Sequence, residues 1–238
     1  MPLSIEELDF QETAMGELVL RRRRMRSLND RVVYEVKLGD EYLMSSLFHE
    51  AEVALADIGL GVLGGDGWDV VVGGLGLGYT AAAALKFKAL KRLVVVEALA
   101  PVIDWHRRAL VPNGEVLGRD GRCVYHHADF FALVRGEGFD PERPGGPFDA
   151  VLLDIDHTPE ALLNASHAGF YTEAGLSRLK TFLKPGGVFA LWSNDPPEDH
   201  FLEILGNVFA RAQGHTIEFE NPLQQSTSSN GVYVARCS

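Results

Sequence analysis

The sequence has little of what holds a small secreted protein together, since only two of its 238 residues are cysteines, Cys123 and Cys237. A disulfide-bridged scaffold is therefore not expected, and a reduced cytoplasmic setting is. The first ten residues, MPLSIEELDF, lack the basic start and the apolar run of a signal peptide. The longest uncharged apolar run, residues 70–85, is too short and too rich in glycine to cross a bilayer. These absences predict a soluble protein that does not act in a membrane.

Basic side chains are also scarce: 22 lysine and arginine residues face 33 aspartate and glutamate residues, for a net charge of −11. Such a chain is not expected to bind nucleic acid, and it favours cationic or small-molecule partners. Arginine is concentrated at positions 21–24 and 26. This run is interpreted as a charged edge strand that discourages further strand pairing, or as a contact to an anionic substrate.

Hydrophobic residues, by contrast, make up 46% of the chain, enough for a sizeable core in one α/β domain. Strands that are almost wholly apolar are typical of a sheet covered on both faces, so the pattern predicts a doubly wound parallel sheet. Its strands are predicted at 68–73, 92–97, 122–127, 148–154 and 187–193. The helices between them are predicted near 78–90, 99–110, 129–135 and 171–183.

The two ends of the chain differ from this alternation. Residues 16–46 form β-favouring stretches broken by turns, which predict a short antiparallel meander, and a helix follows at 46–60. A helix at 197–213 and two strands, one of them antiparallel to the rest, complete the chain. We therefore divide it into an N-terminal β-strand region, residues 1–47, and a Rossmann-like domain, residues 48–238.

Glycine is plentiful where the first strand of the α/β part ends, at Gly74, Gly76 and Gly78, just before an alanine-rich helix. Glycines at such a turn let the backbone approach a ligand and aim the helix N-terminus at it. A dinucleotide fingerprint beginning at Gly74 would need glycine at position 79, where Tyr79 stands. The spacing instead fits the loop that cradles an S-adenosylmethionine-type ligand.

Acids follow the neighbouring strands. Glu97 ends the second strand, where a carboxylate can accept both ribose hydroxyls, and Asp129 follows the third, where an adenine amino group is expected. Asp154 ends the fourth strand. Each has a structural alternative, because Glu97 could be a helix N-terminal acid, Asp129 an N-cap and Asp154 a strand-end acid that bonds loop amides.

Two further motifs complete a resemblance to a known family. Phe48, His49 and Glu50 are similar to a Y-H-E motif, and FDAVLLDIDHTP at 148–159 is similar to a D-x-x-D-P segment. With the glycine loop and VVVE, they resemble the spermidine synthase group of the class I S-adenosylmethionine-dependent transferase superfamily, from about residue 30 onwards. The resemblance implies a seven-stranded Rossmann-like domain with a small N-terminal β-region, usually as a dimer or tetramer, and a homodimer is predicted here. It also implies aminopropyl transfer from decarboxylated S-adenosylmethionine to an amine such as putrescine.

The sequence departs from this group at several motif positions. Gly76 stands where the group carries the aspartate that holds the donor's amine, and His157 stands where it carries a second catalytic aspartate. Phe48 replaces the tyrosine, and the group's D-G-x-x-Q motif is not recognisable. Without an acid at position 76, ordinary S-adenosylmethionine stays open as the donor.

The chemistry at a sulfonium defines what a catalytic site must do. Attack on the adjacent carbon expels a neutral thioether, so the site mainly aligns the reactants and removes a proton from the amine. Asp154 is predicted to hold the acceptor amine or the donor's chain, and Asp156 or His157 to take the proton. A loop-capping role for His157 stays equally open.

The acceptor, a small amine or polyamine, is predicted to contact His49, Glu50 and Trp192. A satisfied interior pair is the alternative for His49 and Glu50. No metal is expected, because His126 and His127 lack a supporting set of ligands. Three functions follow: an aminopropyltransferase-like enzyme, an S-adenosylmethionine-dependent methyltransferase, or a non-catalytic adenosyl-binding or assembly protein.

Overall fold

A computed structural model describes residues 5–143 and 145–238 and begins with an antiparallel sheet of four strands. Its strands are β1 (Ile5–Thr13), β2 (Gly16–Met25), β3 (Arg31–Leu38) and β4 (Glu41–Ser45). The predicted meander is present, and β1 extends it at one edge. Every residue of β1 is exposed or half-buried, which explains why its sequence carries no apolar face that would predict a strand.

The arginines of β2 do not lie on an edge strand, because β2 runs between β1 and β3. Arg21 pairs with Glu35 of β3 at 2.6 Å, and Arg22 pairs with Glu6 of β1 at 2.6 Å. The edge-strand interpretation was therefore wrong. Carboxylates on both neighbouring strands offset the arginine charge, so the run is compatible with an inner strand.

The remaining strands form a mixed sheet of seven in the order β10-β11-β9-β8-β5-β6-β7. Their bounds are β5 (Trp68–Gly73), β6 (Leu90–Glu97), β7 (Cys123–His127), β8 (Phe148–Leu153), β9 (Leu183–Ser193), β10 (Arg211–Asn221) and β11 (Ser226–Arg236). β11 is antiparallel to both of its neighbours, and the pairs among β5–β9 are parallel. The predicted doubly wound sheet is thus confirmed.

Helices cover both faces of this sheet, and successive residues of β5 alternate between the two cores they create. Val70 and Val72 pack with Leu55 on one face, whereas Val71 packs with Phe130 on the other. The helices are α1 (Glu50–Gly61), α2 (Tyr79–Ala84), α3 (Ala100–Arg107), α4 (Gly114–Arg119), α5 (Phe130–Arg135), α6 (Glu173–Lys180) and α7 (Asp199–Val208). Within the described ranges, no helix has the length and apolarity needed to cross a membrane.

Two predicted helices are shorter than expected. A helix is predicted to about residue 90, but α2 ends at Ala84 and β6 begins at Leu90. The sequence predicts helix to residue 213, but α7 ends at Val208 and β10 begins at Arg211. β10 pairs with β11 over eleven residues, from Arg211 opposite Arg236 to Asn221 opposite Ser226. The hydrogen bonds of this long strand pair override the local helix preference of residues 211–213. The boundary between residues 47 and 48 falls between β4 and α1, and the division into two domains there stays a prediction.

The strand order reverses at β5, whose neighbours are β6 and β8. At such a reversal, the chain segments that follow the two adjacent strands run to opposite faces of the sheet. A crevice therefore opens between them at the carboxyl ends of the strands. The glycine loop lies at the end of β5, and Glu97 and Asp154 lie at the ends of its two neighbours. The topology therefore gathers the sequence-predicted residues at one edge of the sheet.

Candidate functional site

The glycine loop is shaped by close contacts with its surroundings. Gly74 has φ +93°, and a Cβ there would lie 2.0 Å from the carbonyl oxygen of Asp154. Gly76 has φ +49°, and a Cβ there would lie 2.8 Å from the sulfur of Met44 in β4. Gly74 therefore requires glycine for backbone conformation and for space, because the close atom belongs to backbone, whereas the flexible Met44 side chain beside Gly76 can move. Through Met44, the four-stranded sheet covers the loop.

His106 of α3 is hydrogen-bonded to the glycine loop. Its buried ring donates a hydrogen bond from Nε2 to the carbonyl oxygen of Gly76 at 2.9 Å. Burial lowers the pKa of His106 to about 4, because the charged ring would lose its hydration. His106 therefore positions the glycine loop.

This neutral, buried histidine predicts a pH-dependent stability. Unfolded chains bind a proton at His106 below about pH 6.5, whereas the folded protein resists protonation until about pH 4. The contribution of neutral His106 to the free energy of unfolding is therefore fully present above pH 6.5. It falls by about 3 kcal/mol between pH 6.5 and pH 4. Denaturant unfolding from pH 7 to pH 4 should show a shallower loss for His106→Gln, while the exposed His127→Gln should follow the wild type. Parallel curves for all three proteins would contradict this assignment.

A cavity of about 340 Å³ lies beside the loop and is called the Glu97 cavity. Glu97 is buried; its Oε2 accepts a hydrogen bond from the amide of Leu75 at 2.9 Å and its Oε1 accepts one from the amide of Leu99 at 2.8 Å. Burial raises the pKa of Glu97. Apolar side chains form most of the other walls, including those of Leu99, Val102, Phe131, Ile155 and Leu163. A buried carboxylate in an apolar cleft is suited to a ligand that offers hydroxyl donors.

Asp129 lines the same cavity and also caps α5. Its Oδ1 accepts hydrogen bonds from the amides of Phe131 at 2.8 Å and Ala132 at 3.1 Å. One oxygen of Asp129 therefore has the N-cap role that was the structural alternative predicted from the sequence. Among the residues that the structure describes, no donor is bonded to the second oxygen, Oδ2, which stays available to a ligand.

A second, larger cavity of about 520 Å³ adjoins the first and is called the Trp192 cavity. Its wall includes Trp192 and His157, both predicted from the sequence, together with Tyr79 and Asn194. The wall carries the carboxylates of Glu52, Asp154 and Asp195 and, among the described residues, no lysine or arginine. The cavity therefore favours a cationic occupant.

Two of these carboxyl groups interact. Asp154 accepts a hydrogen bond at Oδ2 from the hydroxyl of Thr80 at 2.8 Å, and burial raises its pKa to about 6. Burial and the charge of Asp154 raise the pKa of Glu52 to about 8. Two neighbouring carboxyls with little access to water cannot both ionise at low cost, so the pair retains one proton near neutral pH.

Sequence reasoning selected Glu50 and missed Glu52. The structure leaves Glu50 exposed, with its Oε2 accepting a hydrogen bond from the amide of His49 at 2.9 Å, at the N-terminus of α1. His49 stacks on Tyr79 with ring centroids 4.2 Å apart and lies outside both cavity walls. Glu52 precedes the buried residues Leu55 and Ala56 by three and four positions, so it lies on the same face of α1 as they do. This helical spacing could have predicted from the sequence that Glu52 faces the interior.

Asp156 is not brought to either cavity wall. Its buried carboxylate accepts hydrogen bonds from the ring of His167 at 2.9 Å, the hydroxyl of Tyr171 at 2.8 Å and the amide of Leu163 at 2.8 Å. A carboxylate this fully bonded has no free position for a substrate proton. The prediction of Asp156 as a proton acceptor therefore lacks support from the geometry, and His157 is the better placed of the two.

Two tryptophans also take different positions. Trp192 lines its cavity with a buried indole nitrogen that has no hydrogen-bond partner among the described residues. Trp105 is buried outside both cavities, and its Nε1 donates a hydrogen bond to Oδ2 of Asp9 in β1 at 2.7 Å. It therefore joins the N-terminal sheet to α3. Within the described ranges, no group of three or more His, Cys, Asp or Glu side chains has the arrangement of a metal site.

Comparison with known proteins defines the class of fold. No protein-family model matches the chain, and no curated protein matches its sequence. The seven-stranded sheet and small antiparallel N-terminal sheet are those of the class I methyltransferase-like fold as it occurs in spermidine synthases.

Two solved structures show this likeness in particular. One is a spermidine synthase in complex with the transition state analogue AdoDATO; it is 17% identical, the match covers 98% of this chain and 74% of that one, and the TM-score is 0.74. The other is the spermidine synthase from Thermotoga maritima, 17% identical over 98% of this chain and 73% of that one, with a TM-score of 0.73. The resemblance seen in the motifs is confirmed at the level of the fold.

Proposed function

We propose that this protein is a transferase that moves a group from an S-adenosyl donor to a small amine, with aminopropyl transfer as the first candidate. The observation that carries the proposal is the junction of the two cavities, whose walls share Met44, Gly76 and Asp154. One cavity offers a buried carboxylate in an apolar cleft, and the other offers an acidic chamber. A donor and a cationic acceptor could therefore meet at Asp154.

The residues of the Glu97 cavity fit an adenosyl group. Glu97 would accept the ribose hydroxyls, and the free oxygen of Asp129 would accept a hydrogen bond from the adenine amino group. The close approach that Gly74 permits keeps the loop backbone at the cavity wall. A structural neighbour was crystallised with AdoDATO, which supports a ligand of the decarboxylated S-adenosylmethionine type.

When bound, such a donor supplies an electrophilic carbon whose bond to sulfur breaks as the amine nitrogen forms its new bond, leaving a neutral thioether. The acidic wall of the Trp192 cavity would hold the acceptor as an ammonium ion. Glu52 and Asp154 would take the proton that the amine loses, and His157 lies on the same wall as a further acceptor. The mechanism needs no general acid.

Methyl transfer is the second candidate, and the environment of Gly76 favours it. Residue 76 is glycine and lies beside Met44, so the loop carries no acid at this position to pair with the amine of a decarboxylated donor. The carboxylate of ordinary S-adenosylmethionine would instead meet backbone amide groups. A homodimer, implied by the family resemblance, is part of this proposal.

Product analysis tests the proposal. Incubation with decarboxylated donor and a panel of di- and polyamines should release methylthioadenosine, whereas ordinary S-adenosylmethionine should release S-adenosylhomocysteine if methyl transfer is the activity. Glu97→Gln removes one ribose acceptor and should weaken methylthioadenosine binding by about 10- to 100-fold in calorimetry. The exposed Glu137→Gln is the matched control. Binding without turnover would favour a non-catalytic adenosyl-binding protein, and an absence of binding would refute the proposal.

A further inference from the structure

A buried histidine lies on the wall of the Glu97 cavity and is not used by the proposed mechanism. His167 ends a short 3-10 turn, Ala165–His167, between β8 and α6, and only 9% of its surface is exposed. Its ring stacks on Phe131 with centroids 3.8 Å apart. Phe131 is the residue whose amide donates to Asp129, so His167 and Asp129 adjoin the same first turn of α5.

The surroundings of His167 determine which ring nitrogen carries the proton. Nδ1 lies 2.9 Å and 3.1 Å from the two oxygens of Asp156, which can only accept, so Nδ1 donates. Tyr171 and Leu163 donate to the same carboxylate and hold it in place. In the form of the ring that carries a single proton, that proton is on Nδ1, and Nε2 can only accept a hydrogen bond.

This acceptor is free to meet a ligand. His167 lines the Glu97 cavity, and its Nε2 has no hydrogen-bond partner among the described residues. Asp129, whose Oδ2 has no hydrogen-bond partner among the described residues, lines the same cavity. Two acceptors on one wall match a group that offers two donors, and the exocyclic amine of adenine offers two N–H bonds.

We infer that His167 is a specificity-determining residue that accepts a hydrogen bond from the adenine amine, with Asp156 as the residue that positions it. The inference rests on the proposed function, because it concerns the adenosyl end of the same site. Hypoxanthine carries an oxygen in place of that amine. This oxygen can only accept hydrogen bonds, so it could form none with Nε2 of His167 or with the carboxylate of Asp129. A site built around a donor rejects an analogue that lacks it. The protein should therefore distinguish adenosyl from inosyl ligands.

Calorimetry with methylthioadenosine and methylthioinosine tests this inference. The wild-type protein should prefer the adenine compound by about 100-fold or more. His167→Phe keeps an aromatic ring against Phe131 but removes the acceptor nitrogen, and it should reduce this preference by about tenfold through a loss of adenine affinity alone. His127→Phe, at the exposed end of β7, should keep the wild-type preference. An unchanged preference in His167→Phe would overturn the inference.

A second measurement avoids the stability cost of leaving Asp156 with one donor fewer. In wild-type protein labelled with ¹⁵N-histidine, the Nε2 resonance of His167 should be that of an unprotonated nitrogen and should move when methylthioadenosine binds. A protonated Nε2, or a resonance unmoved by bound methylthioadenosine, would overturn the inference and leave the proposed function intact. If neither nucleoside binds the wild-type protein, the proposed function and this inference both fail.

Discussion

Replacement of Asp154 by asparagine is expected to lower the rate of amine transfer by about 10²- to 10⁴-fold, the usual contribution of a positioned proton acceptor. Asp154 lies at the end of β8, where both cavity walls meet, and its carboxylate is bonded to Thr80 at 2.8 Å. Asparagine keeps the shape but can neither attract the ammonium nor take its proton. Initial rates at saturating donor measure the effect, and methylthioadenosine affinity should change little because Glu97 is untouched.

The pH profile provides the control for this prediction. Asp154 ionises near pH 6 while Glu52 keeps its proton to about pH 8, so the wild-type rate should rise near pH 6 as the Asp154 carboxylate becomes available and change again near pH 8. Glu52→Gln removes the group that titrates near pH 8, so the upper change should disappear while the rise near pH 6 stays. Glu50→Gln, two residues away and exposed, should keep the wild-type profile. A rate for Asp154→Asn within twofold of the wild type would contradict the assignment.

The parts of the site that follow a strand could be predicted from the sequence. β5 and β6 are apolar runs that end in glycines and in Glu97, and parallel strands place such ends at one edge of the sheet. The glycine spacing limited the ligand class because Tyr79 stands where a dinucleotide loop needs glycine. These inferences depend on local pattern and on the regular geometry of a parallel sheet.

Contacts between distant segments could not be predicted in this way. Met44 reaches Gly76 because the N-terminal sheet folds over the loop, and no local pattern encodes that approach. Asp156 looked like a second active-site acid because it stands two residues after Asp154. It is instead withdrawn from the cavities by His167 and Tyr171, which lie 11 and 15 residues further along the chain.

Glu52 shows a different limit. The motif Phe48-His49-Glu50 drew the prediction to Glu50, but two residues correspond to about 200° around a helix, so Glu50 and Glu52 face different directions. The buried stripe of α1 determines which acid faces the sheet. Helical phase was therefore a better guide to this side chain than similarity to a motif.

The second large effect is expected for Gly74→Ala, which should lower the free energy of unfolding by about 2–5 kcal/mol. A left-handed backbone at φ +93° disfavours any side chain, and the new Cβ would lie 2.0 Å from the carbonyl oxygen of Asp154. That oxygen belongs to backbone, so it cannot move aside as a flexible side chain can. For a chain of this size the change corresponds to a melting temperature lower by roughly 5–15 °C.

Ligand binding should fall together with stability, because relief of the contact moves the end of β8 and with it the Asp154 side chain at the cavity junction. Gly118→Ala in α4 is the matched control, since a Cβ there meets nothing within 4 Å. It should raise stability by about 0.5–1 kcal/mol, as alanine does in a helix, and leave methylthioadenosine binding unchanged. Thermal unfolding and calorimetry on both variants separate the two effects. If Gly74→Ala melts with the wild type, the close packing of the glycine loop against β8 is refuted.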